Sequence, residues 1–263
     1  MPCSRAQSST AVNRAFATSA SLMASKRVKR TRFSSRRSLD FWLVQTDAAQ
    51  LREQLRSALE TVLGRPVVDA DPHMVTIQGE GFHTGKPAYF IRLGGCDVGC
   101  AWCDAKYTWN PRMYPPTAIE EIVERAVECA AQSIVITGGE PLIYPLDFLT
   151  NALKERGLAI FLETSGSHPF SGEFDWVCLS PKRKSAPLDE AYGRANELKV
   201  IIQNEDDLTW AEECAAKVRK ECLLFLQPEW SVAEQIMPTL VEYAKRNPKW
   251  SISIQSHKYM RIP

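Results

Sequence analysis

From about residue 74 onward, short apolar runs alternate with amphipathic stretches, and this alternation restricts the fold more than any other feature of the chain. Strand-like runs fall at 74–78, 86–93, 132–137, 158–163, 174–179, 197–202, 222–227 and 250–255. Thr117-Ala-Ile-Glu120 has the form of a capping box, opening a helix whose buried face is Ile119, Ile122, Val123, Ala126 and Val127. Residues 145–156 and 205–219 are two more helices. Ser231-Val-Ala-Glu234 opens another, with Pro238 predicting a kink or a later start. Strand–helix repetition argues for an α/β fold with a mostly parallel sheet, open or curled into a barrel. In either form, ligands gather at the carboxyl ends of the strands.

A chain of 263 residues can bury a sizeable core without disulfide staples. No apolar run approaches the roughly 18 residues of a spanning helix, so no membrane role is expected. The formal charge of +1 argues against a nucleic-acid binder, but it hides a split. Nine Lys/Arg and no Asp/Glu fall in residues 1–39, leaving 23 basic against 31 acidic side chains in residues 40–263. We therefore expect residues 1–45 to be a disordered basic leader. The first expectation is an upstream extension from a misplaced start codon, with Met23 and Met74 as later starts, in a cytoplasmic protein. A transit peptide for organelle import is the alternative. Residues 46–73 are expected to form an amphipathic helix over 46–64, with Leu51, Leu55, Leu59 and Val62 on one face, followed by a linker. Residues 74–263 are expected to form the main domain.

Three of the eight cysteines stand together as Cys96-x3-Cys100-x2-Cys103, directly after the strand Ala88–Leu93. Cys3, Cys129, Cys178, Cys214 and Cys222 are scattered and read as small hydrophobes. Three thiolates within eight residues can wrap one metal centre. Structural zinc closes with four ligands, and His83, the nearest candidate, lies thirteen residues upstream. A [4Fe–4S] cluster held by three cysteines keeps one iron open to a substrate or cofactor, which is the reading we adopt over a zinc-binding scaffold.

This spacing, with Trp102 before the last cysteine, resembles the signature of the radical S-adenosylmethionine superfamily. The resemblance implies a partial, modified (β/α) barrel. It also implies that adenosylmethionine chelates the fourth iron and is cleaved to a 5′-deoxyadenosyl radical. Trp102 would pack near the adenine. Thr137-Gly138-Gly139-Glu140 ends a buried strand and is similar to the segment that holds the methionyl amine in these enzymes. Glu163-Thr-Ser165-Gly166 resembles the ribose-side contact, and Ser180-Pro-Lys182 further cofactor contacts.

Gln78-Gly79-Glu80-Gly81 presents an amide and a carboxylate suited to the edge of a pterin or guanine-like ring, and Arg92 offers a fork for a carboxylate. Together with the cysteines and the tail from Gln255 through His257 to Pro263, these segments resemble the 7-carboxy-7-deazaguanine synthases over residues 74–263. That family consists of lyases of queuosine and 7-deazapurine biosynthesis. They contract 6-carboxy-5,6,7,8-tetrahydropterin to 7-carboxy-7-deazaguanine and release ammonia. The resemblance implies that His257 and the Pro263 carboxylate reach the substrate and that adenosylmethionine is regenerated. It also implies Mg2+, a flavodoxin- or ferredoxin-type reductant and a homodimer. Where the family often carries a hydroxyl ligand for Mg2+, two positions after the third cysteine, this chain has Ala105, so Asp104 and Thr108 are the expected metal ligands. A glycyl-radical enzyme activase is the competing function. It would share the cluster but have no need of Gln78, Glu80, Arg92 or the tail.

Overall fold

The computed structural model describes residues 67–68 and 75–262, apart from 115 and 130. The expected leader, the helix over 46–64 and Pro263 lie outside the described residues. Nine strands form one sheet: β1 (Val67–Val68), β2 (Val75–Ile77), β3 (Pro87–Leu93), β4 (Ser133–Gly138), β5 (Ala159–Thr164), β6 (Trp176–Leu179), β7 (Glu197–Ile202), β8 (Leu223–Pro228) and β9 (Trp250–Ile252). β1 and β2 pair antiparallel with successive parts of β3. From β3 to β9 every pairing is parallel, and spatial order follows chain order.

Unbroken sequential order has a geometric consequence. Crossovers of one hand put every connecting helix on the same face, so the sheet curls around its other face. The helices are α1 (Ile119–Glu128), α2 (Asp147–Glu155), α3 (Asp189–Arg194), α4 (Asp206–Ala215), α5 (Ala233–Arg246) and α6 (Ser256–Met260). Alternation along each strand then sorts the side chains. Ile91, Ile134, Ile136, Ile160 and Leu162 pack outward against Ile122, Val123 and Ala126 of α1 and Leu149 and Leu153 of α2. Leu198, Val200, Ile202 and Leu226 do the same against α3, α4 and α5. Each fully buried aliphatic side chain of this kind contributes about 1.5–3 kcal/mol. The intervening residues face inward. Near the amino ends of β3, β4 and β5, Ala88, Phe90 and Val135 pack beside Phe161, whereas β7 begins with the buried Glu197. Toward the carboxyl ends they are Arg92, Thr137, Glu163, Lys199 and Gln227, all of which line a cavity. The fold is the partial α/β barrel that the sequence led us to expect.

Two helix starts differ from expectation. α1 is capped at Ala118 with no side-chain bond, so Thr117 makes no capping box. Glu120 and Glu121 in its first turn instead complement the positive end of the helix dipole. Ser231 sits in a 3-10 turn, Trp230–Val232, whose amide donates to the Glu229 side chain. α5 follows directly at Ala233 and runs through Pro238, so the later start does not occur. α3 and α6 have no counterpart in the sequence reading. Among the described residues, no helix is long and apolar enough to cross a membrane.

Candidate active site

The carboxyl ends of the parallel strands surround a cavity of about 810 Å3. Cys96, Cys100 and Cys103 line it from the loop that follows β3, all free and half-buried. Burial pushes the Cys100 thiol up; the Lys182 ammonium opposes this, while Cys103 and Cys96 add to it. The loop is knitted by its backbone: Gly95 donates to the Thr108 carbonyl at 2.6 Å and Cys103 to the Cys100 carbonyl at 3.1 Å. Among the described residues no fourth cysteine lines the cavity. Three free thiols from one loop, all lining a large cavity, fit a [4Fe–4S] cluster with one exposed iron.

Thr137, Gly138, Gly139 and Glu140 line the cavity beside this loop. Gly139 donates to Leu93 O at 2.8 Å and Glu140 to Gly95 O at 2.9 Å. A Cβ on Gly139 would run into the Gly95 carbonyl, so this position admits no side chain while the cluster loop lies where it does. The Glu140 carboxylate is buried and already engaged at both oxygens. Oε1 accepts from Leu142 N at 3.1 Å and Thr164 Oγ1 at 2.5 Å. Oε2 accepts from Ser165 N at 2.8 Å and Ser165 Oγ at 2.6 Å. Through these bonds it joins the loops after β4 and β5 while lining the cavity. Glu163, Ser165, Ser180 and Lys182 complete this side. Lys182 donates to Ser180 O at 2.6 Å and Ser180 Oγ at 2.7 Å, and stands 5.5 Å from the centre of the Trp102 ring. This side of the cavity, with its glycine cradle, hydroxyls and aromatic face, suits adenosylmethionine.

The β2–β3 hairpin loop carries Gln78, Gly79 and Glu80 into the same cavity. Gln78 uses its amide within the protein, donating to Glu163 Oε1 at 3.0 Å and accepting from Glu80 N at 3.2 Å. Glu80 accepts from Lys199 at 2.7 Å and from Gln255 at 2.9 Å. Burial alone would raise the Glu80 carboxyl, but the Lys199 ammonium and bonds from Lys199, Gln255 and Gln227 prevail, and its pKa falls to about 2. His257, on α6, lines the same wall, and burial lowers its pKa, so its ring is neutral near pH 7. Arg92, beside Thr137 in the β3–β4 register, makes no ion pair among the described residues and is free to meet an anionic ligand.

The donor set for a divalent cation differs from the expected one. Thr108 is buried, with its hydroxyl donating to Ala105 O at 2.7 Å, and it does not line the cavity. Asp104 does, and Glu80, Asp104 and His257 offer ligand atoms that all lie within 4.8 Å of one another. The two carboxylates supply the hard oxygens that Mg2+ prefers. Gly81 also falls outside the lining; its amide donates to Ser253 Oγ at 2.9 Å, fixing the loop to the end of β9. The sequence reading overlooked Lys199, Gln227, Gln255, Trp230 and Lys258, all part of the wall. A lone lysine inside the apolar run Glu-Leu-Lys199-Val-Ile-Ile was the available signal.

Comparison with known proteins leads to the same place. The Radical SAM superfamily model matches residues 90–177. The 7-carboxy-7-deazaguanine synthase of Flavobacterium psychrophilum is 51% identical over 213 residues, 81% of this chain and 100% of that protein. The enzyme of the same name from Escherichia coli K12 is 35% identical, over 71% of this chain and 95% of its own length. The crystal structure of QueE from Escherichia coli superposes with a TM-score of 0.63 at 34% identity, over 70% of this chain and 91% of that one. With whole-length identity of this order and the cysteine triad set into a partial barrel, the chain belongs to the 7-carboxy-7-deazaguanine synthase family of the radical S-adenosylmethionine superfamily.

Proposed function

We propose that this protein is a lyase that contracts 6-carboxy-5,6,7,8-tetrahydropterin to 7-carboxy-7-deazaguanine with loss of ammonia. One observation carries the reading: a single cavity is lined by the three free cysteines together with Glu80, Arg92 and His257. When bound, the cluster and adenosylmethionine would supply the radical chemistry that abstracts hydrogen from the pterin.

The chain's own part is to bind, orient and exclude water. Cys96, Cys100 and Cys103 hold the cluster. The Gly138–Gly139 backbone, Trp102, Ser165, Ser180, Lys182 and Glu163 seat the cofactor, with Glu140 fixing the loops that carry them. Glu80 stays ionised and accepts from the donor edge of the pterin ring, where a carboxylate matches paired N–H groups. Arg92 and neutral His257 meet the substrate carboxylate, Arg92 by its fork and His257 by one ring N–H. Glu80 and Asp104 would hold Mg2+, which would supply positive charge to the site. Pro263, a flavodoxin- or ferredoxin-type reductant, a homodimer and a cytoplasmic setting belong to the same reading. No observation favours the activase.

The test is anaerobic incubation of the reconstituted protein with adenosylmethionine, reductant and the carboxytetrahydropterin, followed by mass spectrometry. The expected result is 7-carboxy-7-deazaguanine and ammonia with adenosylmethionine regenerated. Cleavage of adenosylmethionine with no pterin-derived product would refute the substrate assignment.

A further inference from the structure

Lys199 is the inward residue at the middle of β7, with a side chain only 4% exposed. Its ammonium donates to Glu80 Oε2 at 2.7 Å and to Glu163 Oε2 at 2.9 Å. These carboxylates come from different parts of the chain and, under the function proposed above, serve different ligands: Glu80 the pterin, Glu163 the cofactor ribose. Each is held again at its other oxygen, Glu163 by Gln78 at 3.0 Å and Glu80 by Gln255 at 2.9 Å. Gln255 donates onward to Asp104 at 2.9 Å, and Asp104 directly follows the cluster ligand Cys103. A continuous chain of charge-assisted bonds thus runs from the ribose side, through Lys199, to the edge of the cluster loop.

Two carboxylates that share one buried ammonium have little freedom in their separation. The attraction is strong in a poorly hydrated site, and loss of the cation would set two negative groups against each other. A radical formed on the cofactor side must meet one particular C–H bond of the substrate, and misplacement by about 1 Å costs on the order of 100-fold.

We infer that Lys199 is a positioning residue that ties the substrate half of the site to the cofactor half by fixing Glu80 and Glu163 relative to each other. It touches neither reacting atom; it sets the register between them. The inference rests on the ligand assignments of Glu80 and Glu163 made above.

The test uses reconstituted holoenzyme carrying Lys199→Met, Lys199→Gln or Lys199→Arg. Three quantities are read: iron content, adenosylmethionine affinity without reductant, and 5′-deoxyadenosine released per 7-carboxy-7-deazaguanine formed. The expected Lys199→Met protein keeps its iron and binds adenosylmethionine within a few-fold of wild type, but its ratio of deoxyadenosine to product rises at least tenfold. Lys199→Arg, which retains the cation and can fork between two carboxylates, brings the ratio back toward wild type. If Lys199→Met does not accumulate folded, Lys199→Gln, which keeps a donor without the charge, gives the same reading. A normal ratio in a folded, charge-free variant overturns the inference, because a residue needed only for stability would lower yield and leave the ratio alone. Failure of the wild type to form product would instead sink the assigned function.

Discussion

The ring of His257 occupies the place where a side chain on Gly79 would be: a Cβ built on Gly79 overlaps Nδ1 of His257. The two residues are 178 positions apart, yet Ser256, next to His257, donates to Gly79 O through both its amide, at 2.9 Å, and its hydroxyl, at 3.0 Å. The glycine of the hairpin loop is therefore the docking point of the C-terminal helix. Gly79→Ala is expected to displace α6 and His257 while sparing the cluster. Overpacking of this kind costs about 1–3 kcal/mol. Pterin turnover should fall by at least tenfold with iron content unchanged, as read by steady-state kinetics beside iron analysis.

Removing one sulfur tests the cysteine loop. Cys96→Ala is expected to lose the cluster, and with it all reductive cleavage of adenosylmethionine. A brown anaerobic preparation holding about four irons should become colourless. Iron retained at the wild-type level with activity intact would refute the cluster assignment.

Glu80 separates substrate binding from cofactor chemistry. Glu80→Ala is expected to retain the cluster and to lose pterin turnover. The check is product formation measured beside iron content; a normal rate would refute the pterin pocket.

The same carboxyl has a pH signature. Its folded pKa of about 2 lies below its ordinary value of 4.5, so the stability it contributes is present above pH 4.5 and lost as pH falls toward 2. Glu197 in the same network has a raised pKa, chiefly from burial, so its contribution runs the other way and is lost as pH rises. Comparing the wild type with Glu80→Gln isolates the first effect. The variant should be less stable at pH 7, and the difference in denaturant midpoint should shrink steadily between pH 4.5 and 2.

Glu140 should behave as a structural clamp. Glu140→Ala leaves the donors of Leu142, Thr164 and Ser165 without a buried acceptor, a loss of about 3 kcal/mol. The denaturant midpoint measures it. A change below about 0.5 kcal/mol would indicate that those donors find water.

The sequence by itself determined the order of the parallel strands and of the longer helices between them, and the gathering of three cysteines in one loop. Both are local: an apolar run such as Ser133–Gly138 reports its own burial, and Cys96, Cys100 and Cys103 lie within one loop. The glycine pair at 138 and 139 was legible for the same reason. What the sequence left open was every partnership between distant residues. Thr108 offers a hydroxyl at a plausible spacing, yet the turn it closes directs that hydroxyl to Ala105 O. Glu140 reads as a cofactor contact, and only the fold adds its tie to Thr164 and Ser165. Lys199 looks like a blemish in an apolar strand until curling of the sheet brings it against Glu80, 119 residues away, and Glu163, 36 residues away. Periodicity records which face a side chain is on, whereas charge pairing depends on which other elements share that face. Only the closing of the barrel decided that.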